Sequence, residues 1–218
     1  MRNGTKKKPA PDKADSAAPK RRGRPRAYEP ELALGQALAL FRKDGFAATS
    51  LDDLSAATGM NRPSLYGAFG DKRALYIKSY ARYREDYSGA AAEIFKADID
   101  IRERLRRFYG AALDIYLQGG PRGCFTVMTV ASDAIADPEI RAMVLKGFGD
   151  LDEALSWCFR TAIKRGELPE TVDVAALSQL ASATLYSLAI RSRAGIARRE
   201  LEGIAQGAID LMCGSAAK

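Results

Sequence analysis

The sequence predicts an all-α protein of about nine helices, and three observations carry that prediction. From Pro30 onward, apolar residues recur at the three- and four-residue spacing of amphipathic helices, without the strict alternation of a half-buried strand. Glycines and prolines divide this pattern into segments, and Ser, Asn or Asp stands where several segments need an N-terminal cap. The hydrophobic fraction of 47% is ordinary for a globular protein, so the chain can bury a core.

The first 26 residues differ in composition from the rest of the chain. They carry ten lysine or arginine residues and two aspartates, whereas the remaining chain carries 24 basic and 25 acidic residues. Because they contain almost no large apolar side chain, residues 1–26 are predicted to be a disordered basic arm. Such an arm favours a polyanionic partner, and Arg24 and Arg26 at its end are candidates for contacts in a DNA minor groove. The alternative is a solubilising tail.

Composition also excludes several classes of function. The chain has no histidine, and its three cysteines lie far apart without a CxxC pair. These absences remove histidine-based catalysis and a zinc site, and we expect no metal, no cofactor and no enzymatic activity. No apolar run approaches the length of a membrane span, and the N-terminus lacks the apolar stretch of a signal peptide. We therefore expect a cytoplasmic protein without a membrane partner.

The predicted N-terminal domain, residues 27–80, contains short helices with strong boundary signals. The first helix should begin at Pro30 and end at Gly45. Thr49 or Ser50 can cap the second helix, which should end at Gly59. These boundaries predict a second helix of only about two and a half turns.

The third helix completes a helix-turn-helix. Asn61 caps it, and Pro63 suits its first turn because proline lacks the N–H that would be unpaired there. Gly70 closes it, and Asp71 caps a fourth helix. Two short helices joined by a tight turn present the N-terminal half of the second one to the DNA major groove. A helical hairpin without a partner is the alternative.

The residues of the third helix, which is the recognition helix of this motif, predict specific contacts with DNA. Arg62 can pair with a guanine edge or a phosphate, and Tyr66 can bind a phosphate or belong to the core. Backbone N–H groups at the starts of the second and fourth helices are natural phosphate sites, to which Lys72 adds charge. In the folded head, the predicted DNA contacts are Thr49, Ser50, Arg62, Pro63, Ser64, Tyr66 and Lys72.

The larger predicted C-terminal domain, residues 81–218, is helical throughout. The apolar pattern predicts helices over about 101–117, 125–136, 137–165, 173–191 and 197–212. The strongest start signal is Asp137-Pro138-Glu139, which combines an N-cap, a proline and an acid near the helix dipole.

The head resembles the DNA-binding domain of the tetracycline-repressor (TetR) family. The resemblance covers about residues 24–80 and rests on the runs 23–26, 37–41, 45–46, 49–54, 59–66 and 69–72, together with Leu75. The chain departs from it at Ala68, where many members carry histidine, and a phosphate contact is in doubt there. The resemblance implies a homodimer that binds a palindromic operator and is released when a small effector enters its C-terminal domain.

The resemblance also guides the interpretation of the C-terminal domain. Apolar stripes on the last two helices would form a four-helix bundle with a second chain, or else face the chain's own core. The predicted dimer contacts are Leu177, Leu185, Leu188, Ile204, Ala208 and Leu211. A mostly apolar or aromatic effector is expected among the helices, although an aromatic residue there can equally be plain core. The candidate lining residues are Phe108, Tyr109, Tyr116, Phe125, Met128, Trp157 and Tyr186.

Two alternative functions remain open from the sequence. Cys124 lies near a predicted helix start, where a lowered thiol pKa would suit a redox or electrophile sensor, although most such cysteines are structural. The protein could also be an architectural nucleic-acid binder that relies on its basic arm alone.

Overall fold

The computed structural model describes Met1, residues 29–120 and residues 123–214. Over these residues the chain forms nine α-helices, one 3₁₀ helix at Asp133–Ala136 and no strand, which confirms the all-α prediction. The helices are α1 (Pro30–Ala48), α2 (Leu51–Thr58), α3 (Arg62–Phe69), α4 (Lys72–Lys96), α5 (Ile101–Leu117), α6 (Phe125–Val130), α7 (Pro138–Lys164), α8 (Val174–Arg193) and α9 (Arg198–Cys213).

The head consists of α1, α2, α3 and the start of α4, with α1 packed against α2 and α4. Gly45 was expected to end α1, but it interrupts the helix instead. Its φ of 82° and ψ of 176° are non-helical, and helical structure resumes as far as Ala48. Only glycine adopts such a positive φ without strain, so this residue sets the bend that leads into α2.

The body consists of α5 to α9 and the second half of α4. Helices α7 and α8 pack along each other, and α5 packs on α8 and α9. The single helix predicted over 125–136 is wrong, because α6 stops at Val130 and a separate 3₁₀ helix follows. At the break, the hydroxyl of Ser132 donates to the carbonyl of Thr129 at 2.9 Å, an interaction that competes with helical hydrogen bonding.

Head and body share one core, and Phe125 lies at its centre. The Phe125 ring is fully buried, 5.2 Å from the ring of Tyr76 and 5.7 Å from those of Tyr80 and Tyr83. Phe41 of α1 packs edge-on against Tyr76 at 5.0 Å. Helix α4 therefore carries a row of aromatic residues that contacts both parts of the molecule, and the domain boundary expected near residue 80 lies inside this continuous helix.

In the part of the chain that the structure describes, no helix is both long enough and apolar enough to span a membrane.

Candidate nucleic-acid interface and ligand cavity

The start of α2 is fixed by a reciprocal cap. The Ser50 hydroxyl accepts the Asp53 N–H at 3.1 Å, while the Asp53 carboxylate accepts the Ser50 N–H at 2.8 Å. The Ser50 hydroxyl also donates to the Asp53 carboxylate at 2.6 Å, and this bond, together with the one from the Ser50 N–H, lowers the pKa of Asp53. Of the two candidate caps, Ser50 is therefore the one that holds α2, as the capping-box pattern requires.

The turn between α2 and α3 depends on one glycine and two polar side chains. Gly59 has a φ of 65°, which is left-handed and favours glycine. The Thr58 hydroxyl accepts the Met60 N–H at 3.3 Å, and the Asn61 side chain accepts the Ser64 N–H at 2.9 Å. These contacts fix the direction of α3 relative to α2.

One face of α3 is open to solvent, and the other holds the helix to the head. Leu65 and Phe69 are buried, whereas Arg62, Pro63 and Gly67 are exposed, and Ser64 is half-buried. Tyr66 is 48% exposed, which favours a surface role for its hydroxyl over a role in the core. The face combines polar groups with a glycine, where another molecule can approach the backbone closely.

Arg62, the main candidate for reading bases, is paired with Asp52 of α2. Its Nε donates to Oδ1 at 3.0 Å and its Nη2 donates to both carboxylate oxygens at 2.7 Å. The hydrogen bonds that Arg62 donates to the Asp52 carboxylate raise the pKa of Arg62. Because both side chains are more than half exposed, the pair is weak and can open when a stronger acceptor arrives.

Thr49 and Lys72, two of the expected phosphate contacts, make hydrogen bonds within the head, and Lys72 is half-buried. Thr49 is 1% exposed, and its hydroxyl donates to the Gly45 carbonyl at 2.6 Å. The Lys72 ammonium donates to the carbonyls of Phe46 and Thr49 at 2.9 and 2.8 Å and lies over the Phe46 ring. The carbonyls at the end of α1 have no helical partner, and they attract these donors. Arg24 and Arg26 lie outside the described residues.

A cavity of about 280 Å³ lies between α4, α7 and α8. The ends of α5 and α6 close it with Tyr116 and Cys124. Of the seven aromatic or methionine residues expected to line a ligand site, Tyr116 and Tyr186 do so.

The other five expected lining residues lie elsewhere. Phe125 belongs to the core shared by head and body, and Phe108 is buried against Phe95 and Tyr109. Tyr109 donates its hydroxyl hydrogen to the Ala181 carbonyl. The remaining two are Met128, whose sulfur accepts from Arg193, and Trp157, which is 47% exposed on α7. Helical spacing identifies the apolar face of a helix, but it does not show whether that face packs in the core or lines a cavity.

Sequence reasoning missed the cavity residues contributed by α4. Tyr83, Tyr87, Ala91 and Phe95 line the cavity at the four-residue spacing of one helix face. That spacing is visible in the sequence, but the first expected lining residue is Phe108, beyond the end of α4. Phe148 of α7, whose ring lies 5.1 Å from that of Tyr186, was also missed.

The polar groups inside the cavity are neutral hydroxyls and a thiol. The hydroxyls of Tyr87 and Tyr116 lie 3.3 Å apart, and the Tyr83 hydroxyl donates to the Cys124 sulfur at 3.4 Å. Burial raises the pKa of all three tyrosines, so they stay protonated at physiological pH.

The charged groups lie at the mouth of the cavity. Arg84 of α4 donates to Asp150 of α7 at 2.9 Å, and Lys146 binds the same carboxylate at 2.7 Å. The Arg84 guanidinium lies directly against Gly147, where a Cβ atom would stand 1.7 Å from Nη1. A glycine is therefore needed for Arg84 to reach Asp150 in this position.

Two arginines connect the head to the body. Arg73, in the first turn of α4, donates to Asp137 at 2.5 and 2.9 Å and to Glu139 at 2.8 Å. Arg42 of α1 is buried, donates to the carbonyls of Ile115 and Gly123, and lies over the Tyr83 ring at 5.5 Å. Both arginines were absent from the sequence prediction, because their partners are far away in the chain.

The last two helices present an apolar surface that differs from the expected one. Leu185 and Leu188 are 2% and 0% exposed, so they pack in the chain's own core and leave no surface for a partner. Leu211 is 83% exposed, while Leu177, Ile204 and Ala208 are half-buried. On α8 the outward residues are instead Leu180, Ala183 and Ile190, which follow the same helical spacing on the opposite face.

A helix-turn-helix with an exposed recognition face, joined by a continuous helix to a body with a ligand-sized cavity, defines a DNA-binding regulator. Comparison with known proteins agrees. The family model "Bacterial regulatory proteins, tetR family" matches residues 33–78, and "Tetracyclin repressor-like, C-terminal domain" matches residues 102–208. The chain belongs to the TetR family of bacterial transcriptional regulators.

Individual relatives support this assignment over most of the chain. The HTH-type transcriptional repressor ComR of Escherichia coli (strain K12) is 30% identical over 191 residues, which are 85% of this chain and 90% of ComR. A TetR-family regulator from Rhodococcus sp. RHA1 is 31% identical, with a TM-score of 0.59 over 84% of this chain and 98% of its own. The fold also matches a cysteine mutant of CifR in complex with operator DNA. That match has 23% identity and a TM-score of 0.79, and it covers 86% of this chain and 98% of the CifR chain.

Proposed function

We propose that this regulator is a homodimeric repressor that binds a palindromic operator and releases it when a small, mostly apolar or aromatic effector enters the α4–α7–α8 cavity. The observation that carries this proposal is the continuity of α4. Its first turn borders the recognition helix, and Tyr83, Tyr87 and Phe95 further along it line the cavity. A ligand that displaces these side chains acts on the same rigid element that positions the head.

The DNA contacts that we propose are those on the exposed face of α3. Arg62, Pro63 and Tyr66 are exposed on α3 and Ser64 is half-buried there, while Ser50 is exposed at the start of α2. ComR is named a repressor and CifR was solved with double-strand operator DNA, which supports operator binding by this chain. Thr49 and Lys72 act indirectly, by fixing the position of α2 relative to α4.

The DNA contacts can be tested on the DNA upstream of the protein's own gene. Wild-type protein should bind with a steep salt dependence, and an Arg62→Ala/Tyr66→Phe variant should bind at least about tenfold more weakly. Arg160→Ala, which removes an exposed arginine from α7, is the control and should bind normally. Full-strength binding by the double variant would contradict the assignment.

The salt dependence of Arg62→Ala alone distinguishes two kinds of contact. Loss of a phosphate contact reduces the slope of log affinity against log salt concentration by about one. Loss of a guanine contact instead relaxes sequence specificity at one base pair. Deletion of residues 1–22 should weaken binding but preserve its sequence specificity. Loss of all binding would favour the architectural alternative.

The dimer proposal rests on the outward faces of α8 and α9. Leu180, Ile190 and Leu211 are between 44% and 83% exposed, and Gly203 and Gly207 leave open space beside Leu211. These faces suit a four-helix bundle between two copies of the chain. A Leu180→Glu/Leu211→Glu variant should sediment as a monomer, whereas Leu145→Glu, an equally exposed leucine on α7, should not. A dimeric double variant would place the interface elsewhere.

A further inference from the structure

The cavity offers an entering molecule very little charge. Among the described residues that line it, the charged ones are Arg84 and Asp150, and these two neutralise each other at the mouth. Behind them lie Tyr83, Tyr116 and Cys124, each at most 6% exposed. Burying a carboxylate or an ammonium group without a partner is costly. The part of a molecule that lies inside this cavity must therefore be neutral.

The walls of the cavity favour a flat ring. The rings of Phe148 and Tyr186 lie 5.1 Å apart on one side, and those of Tyr83 and Tyr87 lie 5.8 Å apart on another. Aromatic side chains prefer to meet other rings in tilted or offset arrangements that add to the gain from burial. A volume of about 280 Å³ is small for a ligand cavity and suits a molecule of one or two fused rings.

The Tyr87–Tyr116 pair offers a hydrogen-bond donor to the cavity. The Tyr87 and Tyr116 hydroxyls share one hydrogen bond at 3.3 Å, which uses one of their two hydrogens. The second hydrogen can be donated to a ligand. Because burial raises the pKa of both phenols, both keep their hydrogens at physiological pH.

From this geometry we infer that the effector is a neutral aromatic molecule of one or two rings that carries a hydrogen-bond acceptor and receives a hydrogen bond from the Tyr87–Tyr116 pair. The inference rests on the proposed function, in which this cavity is the effector site. It goes further by excluding charged effectors and by naming the pair of hydroxyls that recognises the polar atom.

Three bicyclic probes of similar size separate the effect of ligand charge from the effect of a hydrogen-bond acceptor. Coumarin is neutral and carries a carbonyl acceptor, naphthalene is neutral without one, and 2-naphthoate is an anion. Calorimetry with the full-length protein should show that coumarin binds at least tenfold tighter than 2-naphthoate. Naphthalene should bind several-fold more weakly than coumarin, because one neutral hydrogen bond is lost. Equal or tighter binding of 2-naphthoate, or no binding of coumarin, would overturn the inference.

Variants of the hydroxyl pair test the recognition itself. Tyr116→Phe should weaken coumarin binding several-fold and leave naphthalene binding unchanged, and Tyr87→Phe should act in the same direction. Tyr109→Phe is the matched control, because its hydroxyl binds the Ala181 carbonyl outside the cavity. A similar loss for both probes would show that the hydroxyl does not recognise the carbonyl of coumarin, and no loss for coumarin would remove the pair from recognition. Either result contradicts the proposed hydrogen bond.

The binding and release measurements can fail independently. If coumarin binds through Tyr116 but leaves DNA affinity unchanged, the ligand class stands and effector gating through this cavity fails. If 2-naphthoate binds in the cavity and releases DNA, the proposed function stands and the neutral ligand class is wrong.

Discussion

The head and the body of this regulator meet in one core, yet they are built by different kinds of interaction. In the head, short helices are held by caps and by donors such as Lys72 that reach nearby carbonyls. In the body, long helices meet mainly through side chains distant in sequence, and the cavity between them is lined, among the described residues, by side chains from Tyr83 onward. The helices of the head are therefore fixed at their ends, whereas the body keeps space for a ligand.

The largest effect is expected where the two regions share their core. Phe125→Ala should lower the free energy of unfolding by about 3–5 kcal/mol, because it removes a ring buried among three tyrosines. Trp157→Ala removes a larger but half-exposed ring from α7 and should cost much less. Urea unfolding of both variants measures the difference. Similar losses would mean that Trp157 is buried, for example in a dimer.

A second pair of variants compares a buried core position in the head with a position that borders the cavity in the body. Ala37 of α1 is fully buried, so Ala37→Leu should overpack the head and destabilise it by about 1–3 kcal/mol. Ala154 of α7 borders the cavity, so Ala154→Leu should be tolerated and should block coumarin binding. Thermal unfolding with and without coumarin tests both expectations. Equal destabilisation would show that the cavity is closed in solution.

The same contrast explains what the sequence could predict. Ser50, Asn61, Asp71 and Asp137 cap the helices that they were expected to cap, because a cap bonds to N–H groups two or three residues away. The helix-turn-helix followed from such local signals and from Gly59. Signals between near neighbours in the chain are therefore enough to predict the fold class and the helix-turn-helix.

The inward faces of the body helices could not be predicted in this way. On α8, Leu185 and Leu188 face the core, but Leu180 and Ile190 give the opposite face a similar apolar stripe. Periodicity cannot choose between two such faces, since the choice depends on which helix packs against each. Arg42 was missed for the same reason, because its carbonyl partners lie more than 70 residues away.

A smaller effect should separate DNA binding from folding. Gly67 is exposed on α3 and Gly149 is exposed on α7, and a Cβ atom at either position meets no neighbour within 4 Å. Alanine at each should stabilise its helix by about 0.5–1 kcal/mol. Only Gly67→Ala should weaken operator binding, because its methyl group projects from the recognition face. If both variants bind DNA like wild type, no DNA backbone or base approaches α3 at Gly67.

The smallest effect concerns the ion pair that joins the head to the body. Its hydrogen bond with Arg73 lowers the pKa of Asp137 to about 2. A carboxyl whose pKa is lower in the folded state stabilises the fold above its ordinary pKa of 3.8, and this contribution is lost as the pH falls toward 2.

Asp137→Asn tests this contribution, because asparagine keeps the cap of α7 but loses the charge. We expect the variant to be slightly less stable than wild type at neutral pH, and the difference to disappear as the pH falls from about 4 to 2. Asp173→Asn changes a cap of α8 in the same way and serves as the control. Because the Arg73 pair is partly exposed, high salt should also reduce the difference. A difference that persists at pH 2 would mean that the aspartate acts through its cap alone, and that the head and the body are joined by their shared core rather than by charge.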